Sequence, residues 1–499
     1  CGGRKIWGYG QDELPSTHPI AARVGTLSEA EANFDGISYA KGAAVLKQLV
    51  AYIGRDNFLA GLRAYFEQHA WGNATLDDLL AALSAYTNRN LAEWSKAWLE
   101  TAGPNTLRSE FALGADGRFA DFVVLQEAPA EHPTLRPHHI AIGLYTLTDD
   151  GQLVRTCRVE ADVSGPRTEV PALVGKAQPD LILLNDDDLG YAIVRFDQRS
   201  LGTLKTSMGA FADSLARTVC WSAVANMAAQ AELSIPAFVQ IVVAGLASEQ
   251  SVPVIQVILG HLSQLLKTTA DPGWVPQGKD LLASRAIELL REAEPGGDHQ
   301  LAWAQLLAWT AVTPDQLDLV ADLLDGRAAI PGLDVDAELR WAFLRRLAAT
   351  GRADDAEIDA ELARDRTDAG RRSALAARAS IPDAAHKAEA WRQVAESELG
   401  LEEAAAVARA FNAAEHADVL APFAEHYFQQ LPAIFAKHAD MLRMILGESL
   451  FPYSAAGPGL LSRIEEFLEQ PELDLAVVRA VIEGRDVVQK ALRSRALPK

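Results

Sequence analysis

Basic charge, cysteine and long apolar runs are all scarce in this chain of 499 residues. Its 46 basic residues stand against 67 acidic ones, a net charge of -21 with a pI near 5.0. A surface so acidic lacks the field that holds nucleic acid or an anionic membrane, so neither is expected as a partner. Only Cys1, Cys157 and Cys220 occur, odd in number and far apart. They build no disulfide framework and read as free thiols packed as small hydrophobes in a reducing compartment. The most apolar stretch, from Ile235 to Ala247, is short and broken by Gln240, which excludes a bilayer span there. No basic segment followed by an apolar run opens the chain, so no signal peptide is read. The start at Cys1-Gly2-Gly3 without Met suggests a cut within a longer protein or removal of earlier residues. The expectation is a soluble, cytoplasmic, truncated chain.

Several chemical signatures are missing too. The sequence holds no P-loop, no dinucleotide fingerprint and no Gly-x-Ser-x-Gly elbow. His138-His139 adjoin a strand-like run, where neighbouring side chains point to opposite faces and cannot easily ligate one ion. His416, His426 and His438 lie on helical segments without ligand spacing. Asn185-Asp186-Asp187-Asp188 resembles the start of a calcium loop, but the fifth position is Leu189 and the twelfth Phe196, where a Glu is needed. That cluster is read as a turn between strands.

What is present describes a globular protein of roughly three domains, with 49% hydrophobic and 23% charged residues. Residues 1–103 read as helical. Asp35 caps a helix from Gly36 to Ile53, along which Ile37, Ala40, Ala44, Val45, Gln48 and Leu49 keep helical spacing. Further helices are predicted from Asp56 to Ala70, from Leu76 to Tyr86 behind a Thr75/Asp78 capping box, and from Leu91 to Thr101 before the Gly103-Pro104 stop. Over 104–200 the period becomes two. Ile140, Ile142 and Leu144 alternate with Ala141, Gly143 and Tyr145, Tyr191 to Phe196 is another strand, and Asp116-Gly117 and Asp150-Gly151 sit where hairpins turn. This stretch reads as a β-sandwich. Residues 201–499 are alanine-rich and helical, with one well-marked unit from Thr313-Pro314 to Gly326. Short helices with tight turns over this length suggest a HEAT-like superhelix. Trp303, Trp309, Trp341 and Trp391 are read as core packing between its helices.

The most informative stretch is Asn33-Phe34-Asp35-Gly36-Ile37-Ser38-Tyr39-Ala40-Lys41-Gly42-Ala43-Ala44-Val45-Leu46. It resembles the aminopeptidase N family of zinc metallopeptidases at its Tyr-x-Lys-Gly-Ala helix. Leu14-Pro15-Ser16-Thr17-His18-Pro19-Ile20 is similar to the loop upstream of that helix, and Pro179 to Asn185 with Gly190-Tyr191 to the last strands of the family's sandwich. The resemblance implies a mainly α chain: the helical end of a thermolysin-like catalytic domain, a small β-sandwich, then a large helical domain that closes over the active site. It gives Tyr39 the catalytic part, since a neutral phenol donates a hydrogen bond to the oxygen on which charge builds as a peptide bond is hydrolysed. Lys41 and Gly42 are read as packing residues, the lysine as a solvated end and the glycine as a site of close helix approach.

The family binds zinc through His-Glu-x-x-His and a further Glu, and no such pentad occurs in this sequence. The resemblance therefore implies zinc in the full-length protein, none bound by this chain, and an inactive chain until a missing N-terminal part supplies the ligands. Peptides are the implied substrates. The alternative is a non-catalytic helical-repeat scaffold or a peptide-binding protein that does no chemistry.

Overall fold

A computed structural model of the protein describes residues 2–22, 25, 33–396 and 399–498, and the chain divides into two compact units, Cys1–Met227 and Ala228–Lys499. In the first, helices α1 (Gly2–Asp12), α2 (Gly42–Ile53), α3 (Arg55–Gln68), α4 (Leu76–Ser84) and α5 (Leu91–Leu99) precede the strands. Their shared core holds Tyr9, Val45, Leu49, Leu83, Trp94 and Trp98. The capping box read at Thr75 is present: its side chain accepts from the Asp78 amide while Asp78 reaches back to the Thr75 amide. Such a cap is worth about 1 kcal/mol. Where the helix pattern ran to Thr101, α5 stops at Leu99, and a side chain from the strand region takes up one carbonyl of its last turn and two just past its end.

That side chain is Arg136, buried and donating to the carbonyls of Ala97, Thr101 and Ala102. A guanidinium at a helix C-terminus meets the negative end of the helix dipole. Trp98 adds a bond from Nε1 to the Pro137 carbonyl.

The strands form two sheets. β1 (Thr106–Leu113), β2 (Phe119–Glu127), β5 (Arg167–Glu169) and β7 (Ile193–Arg195) pair in the order β5-β2-β1-β7, while β3 (His138–Leu147), β4 (Leu153–Val163) and β6 (Leu181–Asp186) pair as β4-β3-β6. Only β1 and β7 run parallel among these pairs. Leu107, Phe122 and Val124 of one sheet and Ile140, Ile142, Leu144, Ile182 and Leu184 of the other share one buried cluster. The inside-outside alternation expected along β3 fails from Ile140 to Tyr145, where every residue is buried. The cause is double cover, since on the face turned away from that cluster Asp186 lies against Gly143 and bonds to the Tyr145 hydroxyl, while the Phe211 ring packs on Tyr145. Gly117 and Gly151, both at positive φ, make the expected turns. Helices α6 (Gln198–Ser207) and α7 (Ser214–Ala229) follow.

The second unit is helical. Its helices α9 (Val252–Thr268), α11 (Asp298–Thr310), α13 (Ala337–Ala349), α15 (Asp368–Ser380), α17 (Leu401–Phe411), α19 (Asp440–Ser449) and α21 (Leu475–Arg495) each touch the next, and α21 returns to α9, so they close a ring. Arg495 latches the seam by donating to the carbonyls of Thr269 and Ala270 beyond the end of α9. The alternate helices α8 (Ile235–Gly245), α10 (Val275–Glu292), α12 (Pro314–Asp325), α14 (Asp355–Arg364), α16 (Ala384–Ala395), α18 (Ala417–Lys437) and α20 (Pro458–Leu468) each pack on a ring helix. The Thr313 capping box and the left-handed Gly326 bound α12 as expected. Trp303, Trp341 and Trp391 are buried, with Trp309 half-buried. Among the described residues no helix is long and apolar enough to cross a membrane.

One buried cation ties three of these helices together. Lys387 of α16 donates from Nζ to Ala379 O of α15 at 2.6 Å and to Phe411 O of α17 at 2.8 Å. Burial pushes its pKa down to about 7, against the pull of Glu415 and Asp383 and with the repulsion of Lys267. The folded state therefore sheds the proton some three units before the unfolded chain does, at a lysine's ordinary value near 10.4. Between those limits the unfolded state binds more protons, so stability rises with pH. Denaturation midpoints measured from pH 7 to pH 10 are expected to show wild type gaining over Lys387→Met across that window. The same difference at every pH would refute it.

Candidate functional site

Tyr39 sits on a local irregularity of the backbone. Residues Ile37–Lys41 form a π-helical turn, in which the Gly42 amide bonds to the Ile37 carbonyl one residue beyond the α-helical partner. Turns of this kind are uncommon, and they re-aim the side chain they carry. The phenol is half exposed, at 50%, and lies edge-on to the more exposed Phe34 ring, with 4.8 Å between centroids. Among the described residues nothing hydrogen-bonds its hydroxyl. The group is thus free to donate to an incoming acceptor.

The turn is held from both ends. At its start, Asp35 Oδ1 accepts from the amides of Ile37 at 2.9 Å and Ser38 at 3.0 Å, as the expected cap does. Asp35 Oδ2 meets His18 Nε2 at 2.8 Å, and the second ring nitrogen of His18 lies 2.8 Å from the Pro19 carbonyl. Burial alone would raise the Asp35 carboxyl, but the His18 bond and the two amides outweigh it and hold it below the ordinary carboxylate range. Ser38 Oγ donates to the Asn33 carbonyl and the Gly36 amide to Gln11 Oε1.

At its end, Lys41 is fully buried. Its Nζ lies 2.8 Å from Asp12 Oδ2 and also donates to the Gly103 carbonyl. Asp12 Oδ1 further accepts from Thr17 Oγ1 at 2.8 Å and the Gly103 amide at 3.2 Å. Burial lowers the Lys41 ammonium, with Asp12 opposing that shift. The expected solvated end is therefore wrong: Lys41 is a buried ion pair that joins α1, the Leu14–Ile20 loop and the start of the sandwich. Gly42 is corrected as well. A Cβ there would meet only ordinary contacts at 3.9 Å, whereas one on Gly36 would come within 2.9 Å of the Trp7 carbonyl. Gly36 is the glycine that lets α1 approach the turn.

The other candidates are structural. His138 is buried against Asn105 and Gln126, and burial with nearby Arg136 pushes it down to about 3. His139 points the other way, to Asp162 and Glu160. His416 and His438 bond to the carbonyls of Ala349 and Val394, and His426 packs between the rings of Trp391 and Phe423. In the acidic turn, Asp186 meets Tyr145 and Arg155, Asp187 meets Arg155 and Arg158, and Asp188 meets Lys5 at 2.5 Å. The three carboxylates are spent on ion pairs with Arg155 (which bridges Asp186 and Asp187), Arg158 and Lys5, not on a common centre. Cys157 and Cys220 are free thiols, and Cys1 lies outside the described residues. Among the described residues no three His, Cys, Asp or Glu side chains converge as metal ligands. These residues do not fit a zinc ion.

Comparison with known proteins adds the remaining findings. Residues 7–98 match the family described as Peptidase family M1 domain, and residues 181–490 the ERAP1-like C-terminal domain. Aminopeptidase N of Streptomyces lividans is 46% identical over 503 residues, covering 99% of this chain and 58% of that protein. Glutamyl aminopeptidase of Bos taurus is 39% identical over 203 residues, 40% of this chain and 20% of the relative. Aminopeptidase M1 of Arabidopsis thaliana is 38% identical over 150 residues, 28% of this chain and 17% of the relative. The chain thus spans well under two thirds of each of these curated relatives.

Proposed function

The chain belongs to the aminopeptidase N family of metallopeptidases, and from that membership we propose that it is part of a zinc aminopeptidase that removes N-terminal residues from peptides. The observation that carries this is Tyr39: an exposed phenol with an unengaged hydroxyl, on a π-helical turn clamped at both ends. As water adds to the scissile carbonyl, its oxygen gains negative charge. The Tyr39 O–H donates to that oxygen, and the donor is held in place before the substrate arrives, so little reorganisation is needed as charge develops. A pure scaffold would have no use for a donor so displayed.

In this reading residues 1–103 are the helical end of the catalytic domain, 104–200 its neighbouring sandwich, and 201–499 a HEAT-like domain with the lid's part. The zinc ligands come from another stretch of polypeptide, because the sequence holds no His-Glu-x-x-His. The compartment is the cytoplasm. Metal analysis and an assay with an aminoacyl chromogenic substrate test the division of labour. The chain alone is expected to bind no stoichiometric zinc and to show no turnover, and mixing it with a fragment carrying the pentad is expected to restore activity. Stoichiometric zinc with turnover by the chain alone would overturn it.

A further inference from the structure

His18 faces two acceptors at once. The Pro19 carbonyl oxygen can only accept, and so can a carboxylate oxygen of Asp35. A neutral imidazole has one donor and one acceptor, so it satisfies one of these contacts and sets a lone pair against the other. Both are met only when the ring carries two protons. Protonating Asp35 instead is disfavoured, since its Oδ1 already accepts from two amides and those bonds favour the charged form. The pair is well shielded, with 14% of the His18 side chain and 7% of the Asp35 side chain exposed. Charge and counter-charge thus sit under the first turn of the Tyr39 segment, and the Tyr39 amide itself bonds to the Asp35 carbonyl at 3.1 Å.

We propose that His18, held as an imidazolium between Asp35 and the Pro19 carbonyl, is a positioning residue that fixes Asp35 and through it the place of the Tyr39 phenol. His18 does not reach the reacting atoms in this scheme. It acts on a carboxylate that has three bonds to keep, one to the ring and two to the turn, and whose rotation would carry the turn with it. The inference rests on the role given to Tyr39 above.

The test is a double-mutant cycle in the full-length protein, with kcat and KM measured on an aminoacyl chromogenic substrate and folding followed by thermal denaturation. His18→Ala is expected to lower kcat roughly 10- to 100-fold with KM little changed, the cost of a misplaced group near the chemistry. In a Tyr39→Phe background the same substitution is expected to change kcat less than about 2-fold, because residues acting through one group are not additive. His18→Gln keeps one donor toward Asp35 and is expected to fall between wild type and His18→Ala. A silent Tyr39→Phe removes the role of Tyr39 and this inference with it. A costly Tyr39→Phe beside a silent His18→Ala, or an equal loss in both backgrounds, overturns this inference alone. Loss of the folded state in both His18 variants also overturns it, since His18 would then hold the domain and not one side chain.

Discussion

Replacing Tyr39 by Phe in the full-length protein is expected to lower kcat on the order of 100- to 1,000-fold while KM stays nearly constant. The size follows from removing one donor aimed at developing negative charge. The split follows from when that bond matters: a neutral carbonyl gains little from the phenol, so ground-state binding is barely touched and the loss falls on the chemical step. The substitution keeps the ring and its edge-on contact with Phe34, so the turn has no reason to move. Steady-state kinetics on a chromogenic aminoacyl substrate decide it. Activity within about 2-fold of wild type would end the assignment of Tyr39 and leave its exposure as a surface accident.

Lys41→Met is expected to give the largest loss of stability of any single change near the site, about 3–5 kcal/mol. The side chains of both partners are fully buried. Methionine fills much of the lysine's volume, so the cavity is small and the damage is electrostatic: the Asp12 carboxylate keeps its bonds from Thr17 Oγ1 and the Gly103 amide but loses its ion-pair partner. An unpaired charge in that interior is costly, far more than the pair was favourable. Pairing the change with Asp12→Leu is therefore expected to recover part of the loss. Denaturant unfolding of the chain measures both variants. A cost under about 1 kcal/mol for the single change would show that water reaches Asp12. Because Lys41 lies two residues after Tyr39, the same lesion in the full-length protein is also expected to cost activity.

Much of this was readable from the order of residues. Helix caps are local signals, so Thr75, Thr313 and Asp35 declared themselves, as did Gly326 at the end of its helix. Alternation along Ile140–Leu144 located a strand, yet not its two-sided burial, because period-two patterning assumes one wet face and Asp186 and Phe211 cover it. The failure at Lys41 has the same root. A lysine beside a glycine on a helix looks solvated until a carboxylate 29 residues earlier in the chain is brought against it. Asp12 carried no signal of its own, as nothing in an isolated acidic residue names its distant partner. Gly36 was hidden likewise, since its need for bare backbone arises only when Trp7 passes 2.9 Å from where a Cβ would stand. Tyr39 itself was visible through the motif around it, while its availability to an acceptor is a property of folded geometry.

The seam at Arg495 carries a consequence for how the helical unit can vary. An open stack of helix pairs tolerates one more or one fewer, since its end faces are indifferent to their number. Once α21 has come round to α9, each added pair would have to be shared out among all the crossing angles, and each lost pair would leave a gap that neighbouring side chains are too short to fill. The number of turns is thereby fixed by closure, and a change of size that keeps the seam has to fall in the loops between helices.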